Sequence, residues 1–333
     1  MLSETIHSNP KIRYDATCKK ILGMKHILAI ILRGCVKEYV ACADEEIYAL
    51  IGEPEIGTHP MLPDTQEGDT RIRGMQTEDA TVYEGTITYD IRFMAKTPGP
   101  SGKTMELIIN IEAQNNFYPG YPLVKRAVYY GSRLISSQYG TEFTRSHYED
   151  IKKVYSIWIC LNPPESRKNG ITQYALQETC LEGNAVDQER NYNIMNVIMV
   201  YVGEEKTENS QVLNVLSSLF SNDLTATEKI NNLVSYGVPI GNDLTEEVTE
   251  MCNLSEAIEQ RGIQKGIQEG IQKGIQKGEE KGRKLGHEEG HVDGIHTAVK
   301  LLYQSGMEDT EIAVRLRMSV DEVRSVLHLE SNS

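Results

Sequence analysis

The first fifty residues carry apolar side chains at helical spacing. Ile21, Leu28 and Leu32 lie seven and four positions apart, so they share one side of a helix, and neighbouring apolar residues widen that side. This spacing predicts helices with one buried face over residues 11–50. Residues 51–74 are rich in proline and glycine, which predicts a loop with short extended pieces.

From residue 81 onwards the pattern becomes typical of strands. Residues 81–94 (TVYEGTITYDIRFM) and 104–114 (TMELIINIEAQ) are rich in β-branched and aromatic side chains, and the stretch AKTPGPSGK between them is dense in proline and glycine. This order predicts a β-hairpin. Asp90 lies late in the first predicted strand, and Glu112 lies near the end of the second.

More amphipathic and apolar segments follow the hairpin. Residues 122–139 have the spacing of an amphipathic helix, whereas residues 153–161 form an apolar run of strand length. We predict further strand in residues 171–183 and 191–202. From residue 210 to residue 254 the pattern is helical again.

A glycine repeat with a period of four occupies residues 262–294. Its unit begins as Gly-Ile-Gln followed by Lys or Glu, and it becomes more charged towards the end. In an α-helix this period advances by about 40° per repeat, so the glycines spiral around the axis. Two alternatives stay open: a low-complexity spacer, or a helix whose glycines let a second copy approach and form a homo-oligomer. Because each glycine costs a helix about 1 kcal/mol relative to alanine, we predict that the segment becomes helical only when chains associate.

The spacing of residues in the segment from residue 295 to residue 327 predicts three short helices. The first ends near Gly306, the second covers residues 309–317, and Ser319 has the position of an N-cap for the third. This order resembles a helix-turn-helix. From residue 295 to the end the charge is 4 − 6 = −2, which favours a protein-interaction or dimerisation role as much as DNA binding.

Composition and charge limit the partners of the chain. The net charge of −14 argues against a protein that coats nucleic acid non-specifically, because phosphate neutralisation supplies most of that affinity. Between Lys96 and Lys153 the local charge is 8 − 5 = +3, so contact with nucleic acid is expected to be local.

The longest apolar run, residues 27–32, is too short for a membrane span, and the six cysteines form no CxxC pair. We therefore expect a cytoplasmic protein with reduced thiols and no membrane partner.

Two carboxylates on neighbouring predicted strands form a candidate metal-binding catalytic site. The oxygens of Asp90 and Glu112 are of the type that binds Mg²⁺, and a bound cation activates water and stabilises charge on a phosphate. A pair of acids on a hairpin is most often only solvent-facing. Here, however, Glu112 and Gln114 project on the same face of their strand, and a basic helix with two adjacent tyrosines follows.

Several longer segments resemble one nuclease superfamily. In PD-(D/E)XK nucleases a helix precedes a hairpin that bears Asp and then Glu-x-Lys, and another helix follows. The segments YDATCKK, EGTITYDIRF and INIEAQNNFYPGYPLVKRAVYYGSRLISSQ are similar to the transposase-related, recombination-promoting branch of that superfamily. The resemblance covers about residues 11–205. It implies an α/β fold with a restriction-endonuclease-like core, in which a central mixed sheet is flanked by helices.

With its helical C-terminal tail, the chain is predicted to have four regions. They are a nuclease-like core (11–205), a helical extension (206–255), the glycine repeat as a spacer or helix (256–294) and a helix-turn-helix-like module (295–330).

The resemblance also implies roles for individual residues. Asp90 and Glu112 would bind Mg²⁺ or Mn²⁺, with the carbonyl of Ala113 as a third ligand. Asp90, Glu112 and Gln114 would be catalytic, although Gln114 occupies the position usually held by lysine and supplies no charge. The residues expected to contact the substrate are Lys125, Arg126, Gln138, Asp15 and Lys19. Lys125 or Arg126 would supply the cation that Gln114 lacks.

A second motif, HEEGH at residues 287–291, fits the zinc-peptidase signature HExxH. Its two histidines follow the register of the glycine repeat, and the motif lacks the buried helix-and-sheet context of such sites. We therefore expect no catalytic zinc there.

Three hypotheses follow for function. The leading one is a metal-dependent DNA endonuclease, related to transposition and recombination, that hydrolyses phosphodiester bonds. The alternative is a catalytically weak or inactive nuclease-fold protein that binds DNA or assists assembly, which Gln114 and the acidic charge favour. The third is action on RNA or on another phosphodiester.

Overall fold

The computed structural model describes residues 9–56, 78–81, 85–98, 104–204 and 206–328. Its strands are β1 (Glu55–Ile56), β2 (Glu78–Thr81), β3 (Gly85–Thr88), β4 (Ile91–Pro98), β5 (Thr104–Gln114), β6 (Lys153–Cys160), β7 (Gly170–Ala175) and β8 (Met195–Tyr201). Six of them form a mixed sheet with the order β1-β4-β5-β6-β8-β7, and β2 pairs with β3 in a separate sheet.

Helices flank the six-stranded sheet and continue into the C-terminal tail, so the fold is α/β. They are α1 (Pro10–Gly23), α2 (Lys25–Cys35), α3 (Asp44–Leu50), α4 (Leu123–Ser136), α5 (Glu189–Tyr192), α6 (Gln211–Phe220), α7 (Ala226–Ser235), α8 (Asn242–Gln304), α9 (Asp309–Leu316) and α10 (Val320–His328). The predicted helices at the N-terminus, after the hairpin and from residue 210 onwards are confirmed.

The centre of the sheet is buried on both faces. β5 pairs in parallel with β6, and β6 with β8, which explains their near-continuous apolar sequences. Side chains alternate along β5: Leu107 and Ile109 belong to the core beneath α1 and α2, whereas Ile108 belongs to the core beneath α4. Glu112 continues the alternation of Ile108, and the pleat therefore places this carboxylate on the face that α4 covers.

The hairpin is confirmed, but its first strand is shorter than predicted. β4 begins at Ile91 and pairs antiparallel with β5, so Asp90 precedes this strand instead of lying late in it. Residues 85–88 belong to the separate sheet with β2. The strand pattern runs on through Tyr89 and Asp90, yet the chain bends at Asp90, whose side chain accepts a hydrogen bond from the Ala113 amide.

The predicted strands at 171–183 and 191–202 are confirmed only in part. β7 ends at Ala175 and β8 begins at Met195. A short helix, α5, occupies the first residues of the second segment. β7 is itself largely exposed and stays in the sheet through its antiparallel pairing with β8, which ends with Ala175 opposite Asn196.

Helix α1 has its start defined by the local sequence. Asn9 caps it by accepting a hydrogen bond from the Lys11 amide at 3.1 Å, and Pro10 occupies the first turn. Cys18 and Leu22 face the core. Residues spaced by four along the helix, such as Asp15 and Lys19, lie together on another side.

Contacts divide the chain into two units, Met1–Ile258 and Glu259–Ser333. In the second unit residues 259–294 are helical and exposed throughout. Hydrogen bonds within a helix satisfy its backbone without a neighbour, and stabilisation by a second copy stays a prediction.

The helices of the helix-turn-helix-like module pack on a small apolar core. Val299, Ile312, Ala313, Val323 and Val326 are its buried members. The predicted N-cap at Ser319 is confirmed: its hydroxyl accepts from the Glu322 amide, and the Glu322 carboxylate accepts from the Ser319 amide. In the described part of the chain, no helix has the length and apolar character that crossing a membrane requires.

Candidate functional site

The carboxylates of Asp90 and Glu112 meet where β4 begins and β5 ends. The Asp90 amide donates to Glu112 Oε1 at 3.2 Å, and the Ala113 amide donates to Asp90 Oδ2 at 3.0 Å. Asp90 is 9% exposed and Glu112 is 3% exposed. Two carboxylates are therefore held together in a buried position, which is unfavourable unless a positive charge lies close by.

The peptide group of Ala113 lies at the open edge of β5, beside Asp90. The carbonyl of Gln114 accepts from the Leu161 amide at 3.0 Å, so the peptide of Gln114 faces β6. Successive residues of a strand direct their backbone groups to opposite sides. The Ala113 carbonyl therefore points towards the side where Asp90 lies, which is the position required of the predicted third metal ligand.

Helix α1 brings a buried cation to the two acids. Lys19 Nζ lies 2.9 Å from Asp90 Oδ1 and 2.8 Å from Asp15 Oδ2. Although burial favours the neutral amine, the charges of Asp90 and Asp15 raise the pKa of Lys19. The Lys19 side chain therefore stays protonated and offsets part of the negative charge in the site.

A second cation comes from helix α4. The guanidinium of Arg126 donates to the hydroxyls of Tyr130 at 2.9 Å and Tyr121 at 3.2 Å. It lies over the ring of Trp158, 5.2 Å from the centroid. Burial favours its neutral form, but Tyr130 and Glu112 raise its pKa, so Arg126 is a fixed positive charge near the Glu112 carboxylate.

The surroundings of the acid pair favour the protonated forms of its carboxylates. Burial raises the pKa of Asp90, and Lys19 counteracts that shift only in part. Burial, and next the charge of Asp90, raise the pKa of Glu112 well above its usual range. Without more positive charge, the protein therefore holds a proton on this pair more tightly than it would in water.

One cavity of about 320 Å³ contains most of the predicted site residues. Its lining comprises Lys11, Ile12, Asp15, Lys19, Asp90, Glu112, Ala113, Gln114 and Arg126. The structure thus brings together residues from the first helix, the hairpin and the helix after it, as the resemblance implies. Gln114 reaches the cavity, while its side-chain amide also donates to the carbonyl of Asn116.

Two residues expected to bind substrate lie elsewhere. Lys125 is exposed on α4 and does not line the cavity, so Arg126 is the residue of this pair that reaches the acids. Gln138 is 1% exposed, and its amide both donates to the Lys152 carbonyl and accepts from the Lys152 amide. Those contacts tie the chain after α4 to the start of β6, which is a structural role.

Sequence reasoning missed three contributors. Lys11 lines the cavity, and Tyr130 and Trp158 hold the Arg126 guanidinium. Lys11 was detectable, because it precedes Asp15 and Lys19 at intervals of four on one helix. Trp158 was not, because its distance from Arg126 in the sequence hides the contact.

The donor set fits a hard divalent cation. Asp90, Glu112 and the Ala113 carbonyl offer only oxygen atoms, which Mg²⁺ prefers. Among the described residues no group of three or more His, Cys, Asp and Glu side chains could hold a metal ion. A metal at this site would therefore depend on the backbone carbonyl and water to complete its coordination. The predicted absence of a zinc site at residues 287–291 is untested by this observation.

The chain matches no family model, no curated protein and no solved structure. The superfamily suggested by the sequence segments consequently stays a proposal, and the geometry of the cavity is the main support for a function.

Proposed function

We propose that the protein is a metal-dependent nuclease with a restriction-endonuclease-like core, of the recombination-promoting PD-(D/E)XK type. The observation that carries this proposal is the convergence of Asp90, Glu112 and the Ala113 peptide in one cavity with three basic residues, Lys11, Lys19 and Arg126. The chain order of helix, hairpin and helix is consistent with it. The proposed substrate is DNA, and the proposed reaction is hydrolysis of a phosphodiester bond.

Asp90, Glu112 and the Ala113 carbonyl would hold the cation. When bound, Mg²⁺ or Mn²⁺ supplies an activated water and stabilises charge on the phosphate. Asp90 also positions β5, because it accepts from the Ala113 amide. Glu112 in turn accepts from the Asp90 amide, so the two ligands hold each other in place.

The protein supplies positive charge from its helices rather than from the strand. Gln114 can orient a water by hydrogen bonding but carries no charge. Lys19 and Arg126 both line the same cavity, and both are held by polar or aromatic neighbours. Fixed cations of this kind stabilise the charge that develops on a phosphate during attack by water.

Nicking of supercoiled plasmid tests the activity. Purified parent protein should convert plasmid to the open circle with Mg²⁺ or Mn²⁺ and not with EDTA. Glu112→Gln should abolish this conversion, because it removes a ligand charge while keeping the shape of the side chain. Glu106→Gln is the matched control: Glu106 lies on the same strand but pairs with Lys152 at 2.9 Å, outside the cavity. Equal nicking by the parent and Glu112→Gln would refute the catalytic assignment.

The substitution Gln114→Lys tests whether the missing positive charge at position 114 limits the rate of nicking. If that charge alone is limiting, this variant should retain or raise the nicking activity. Complete loss would show that the Gln114 amide makes a contact with water or substrate that lysine cannot replace.

The second candidate function is binding of DNA, or a role in assembly, without turnover. It is favoured by the ion pair between Lys19 and Asp90, since a cation of the protein already neutralises one proposed ligand. On this alternative, purified protein would bind DNA but would not nick it with any divalent cation, and Glu112→Gln would leave binding unchanged.

A further inference from the structure

An aromatic and basic surface begins at the cavity and continues along the same end of the sheet. We name it the aromatic strip. Its members are Arg126, Tyr121, Tyr118, Phe117, Arg167 and Tyr201. The loop that carries the first three aromatic residues directly follows β5, and Arg167 and Tyr201 lie after β6 and at the end of β8. Because these strands are parallel, their ends lie at one edge.

The strip consists of two groups of contacts, which the loop residues 117–121 connect along the chain. Arg126 lines the cavity and donates to the Tyr121 hydroxyl at 3.2 Å. Phe117 packs edge-on against Tyr118 at 5.0 Å and against Tyr201 at 6.1 Å between ring centroids. Arg167 lies 5.7 Å from the Phe117 centroid. The Tyr118 ring is therefore supported by Phe117, and the Tyr121 hydroxyl is held by Arg126.

The outer rings of the strip are open to solvent. Tyr118 is 74% exposed and Tyr121 is 47% exposed. Arg167 donates to the Tyr201 hydroxyl at 3.1 Å, and no carboxylate of the described residues lies within ion-pair distance of it. Supported, exposed rings beside such an arginine offer a stacking surface together with a site for a phosphate.

We propose that the aromatic strip binds an unpaired nucleotide strand and guides it into the cavity. This inference rests on the proposed nuclease function and adds the substrate class. In a duplex the faces of the bases are covered by their neighbours, so only unpaired bases stack on a tyrosine ring. The net charge of −14 disfavours affinity gained mainly from phosphates, and stacking supplies affinity without many cations.

Binding to short oligonucleotides tests the proposal. The probe is a fluorescein-labelled oligothymidylate of about twenty nucleotides, since site sizes of stacking proteins are about 4–16 nucleotides. Its anisotropy is measured with the full-length Glu112→Gln protein in EDTA, so that the proposed metal-dependent cleavage does not consume the probe. A duplex of the same length should bind at least about tenfold more weakly than the single strand, because its bases cannot stack on the protein.

Variants of the strip separate stacking from charge. Tyr118→Ala should weaken binding about fivefold or more, the effect of one lost stacking contact, whereas Tyr118→Phe should retain it. The matched control is Tyr148→Ala, because Tyr148 is 64% exposed but packs against Phe143, away from the strip. Unchanged affinity of Tyr118→Ala, or duplex binding as tight as single-strand binding, would overturn the proposal. Failure of every oligonucleotide to bind would overturn the proposal too, and binding of a protein partner would then be the remaining interpretation of the strip.

The outcome is distinguishable from that of the nicking assay. Loss of strand binding in Tyr118→Ala, together with no plasmid nicking by the parent, would support the strip while refuting the nuclease. Nicking by the parent with equal binding by Tyr118→Ala would support the nuclease while overturning the strip.

Discussion

Strand β5 and the glycine-repeat part of α8 are both regular, but different forces maintain them. Residues 107–112 of β5 are all buried, with neighbours on both faces and both edges. Residues 262–294 are all exposed, and an added Cβ at any of their glycines meets no atom within 4 Å. Tertiary contacts determine the first element, whereas hydrogen bonds within the segment maintain the second.

The difference explains where the proposed chemistry lies. Glu112 is positioned by strand pairing with β6 on one side and by the Asp90 amide on the other, so its carboxylate has little freedom. A side chain of the repeat has no comparable support. The HEEGH motif therefore matches the sequence signature of a metal site but lacks the neighbouring groups that orient metal ligands.

The largest effect should come from removing apolar side chains in the two regions. Ile109→Ala should lower the free energy of unfolding by about 2–5 kcal/mol, because it leaves a cavity in the core. Ile271→Ala, at a position that is 58% exposed, should change it by less than about 0.5 kcal/mol. Urea unfolding followed by fluorescence of Trp158, the single tryptophan, measures the first change, and urea unfolding followed by far-ultraviolet circular dichroism measures the second. Equal changes in the free energy of unfolding for Ile109→Ala and Ile271→Ala would contradict the proposed difference between the two regions.

Metal binding should stabilise only the unit that contains the cavity. At a concentration 100 times the dissociation constant, Mg²⁺ or Mn²⁺ should add about 2.7 kcal/mol to the free energy of unfolding reported by Trp158. Glu112→Gln should remove this gain. His291→Ala, in the repeat, should leave it intact. Stabilisation that persists in Glu112→Gln but is lost in His291→Ala would place the metal in the repeat instead.

The substitution of glycine by alanine should change stability in opposite directions in the two regions. At Gly34 in α2 an added Cβ lies 2.6 Å from Val212 Cγ1, so Gly34→Ala should destabilise by about 1–3 kcal/mol through overpacking. At Gly270 nothing is in the way, and Gly270→Ala should stabilise the helix by about 1 kcal/mol. Trp158 unfolding measures the first and far-ultraviolet circular dichroism the second. A loss of helix in Gly270→Ala would indicate close packing of a partner on the glycines.

The smallest expected effect is a change of helicity with concentration. A second copy that covers Ile263, Ile267, Ile271 and Ile275 would offset the glycine propensity cost, so helicity of the full chain should rise on concentrating. Sedimentation should show association in parallel. Replacing these four residues by Gln should remove both, whereas Leu301→Gln, exposed but outside the repeat, should not. Strong helicity in a monomer at every dilution would exclude stabilisation by association.

The sequence by itself determined the local elements and the principal acids. Period-two alternation along β5 placed Glu112 and Gln114 on one face, and the proline- and glycine-rich turn indicated the hairpin with Asp90. Capping residues define the starts of α1 and the last helix, because an N-cap side chain bonds to an amide only two or three residues away. These features are local, so a pattern of residues suffices to predict them.

Only the tertiary structure decided which distant residues share the cavity. Local periodicity does not reveal that Lys19 pairs with Asp90 or that Arg126, and not Lys125, reaches the acids over Trp158. It also did not reveal the bend at Asp90 or the hydrogen bond that the Ala113 amide donates to the Asp90 side chain. Contacts between residues far apart in the chain depend on how helices pack on the sheet, and no local repeat records that packing.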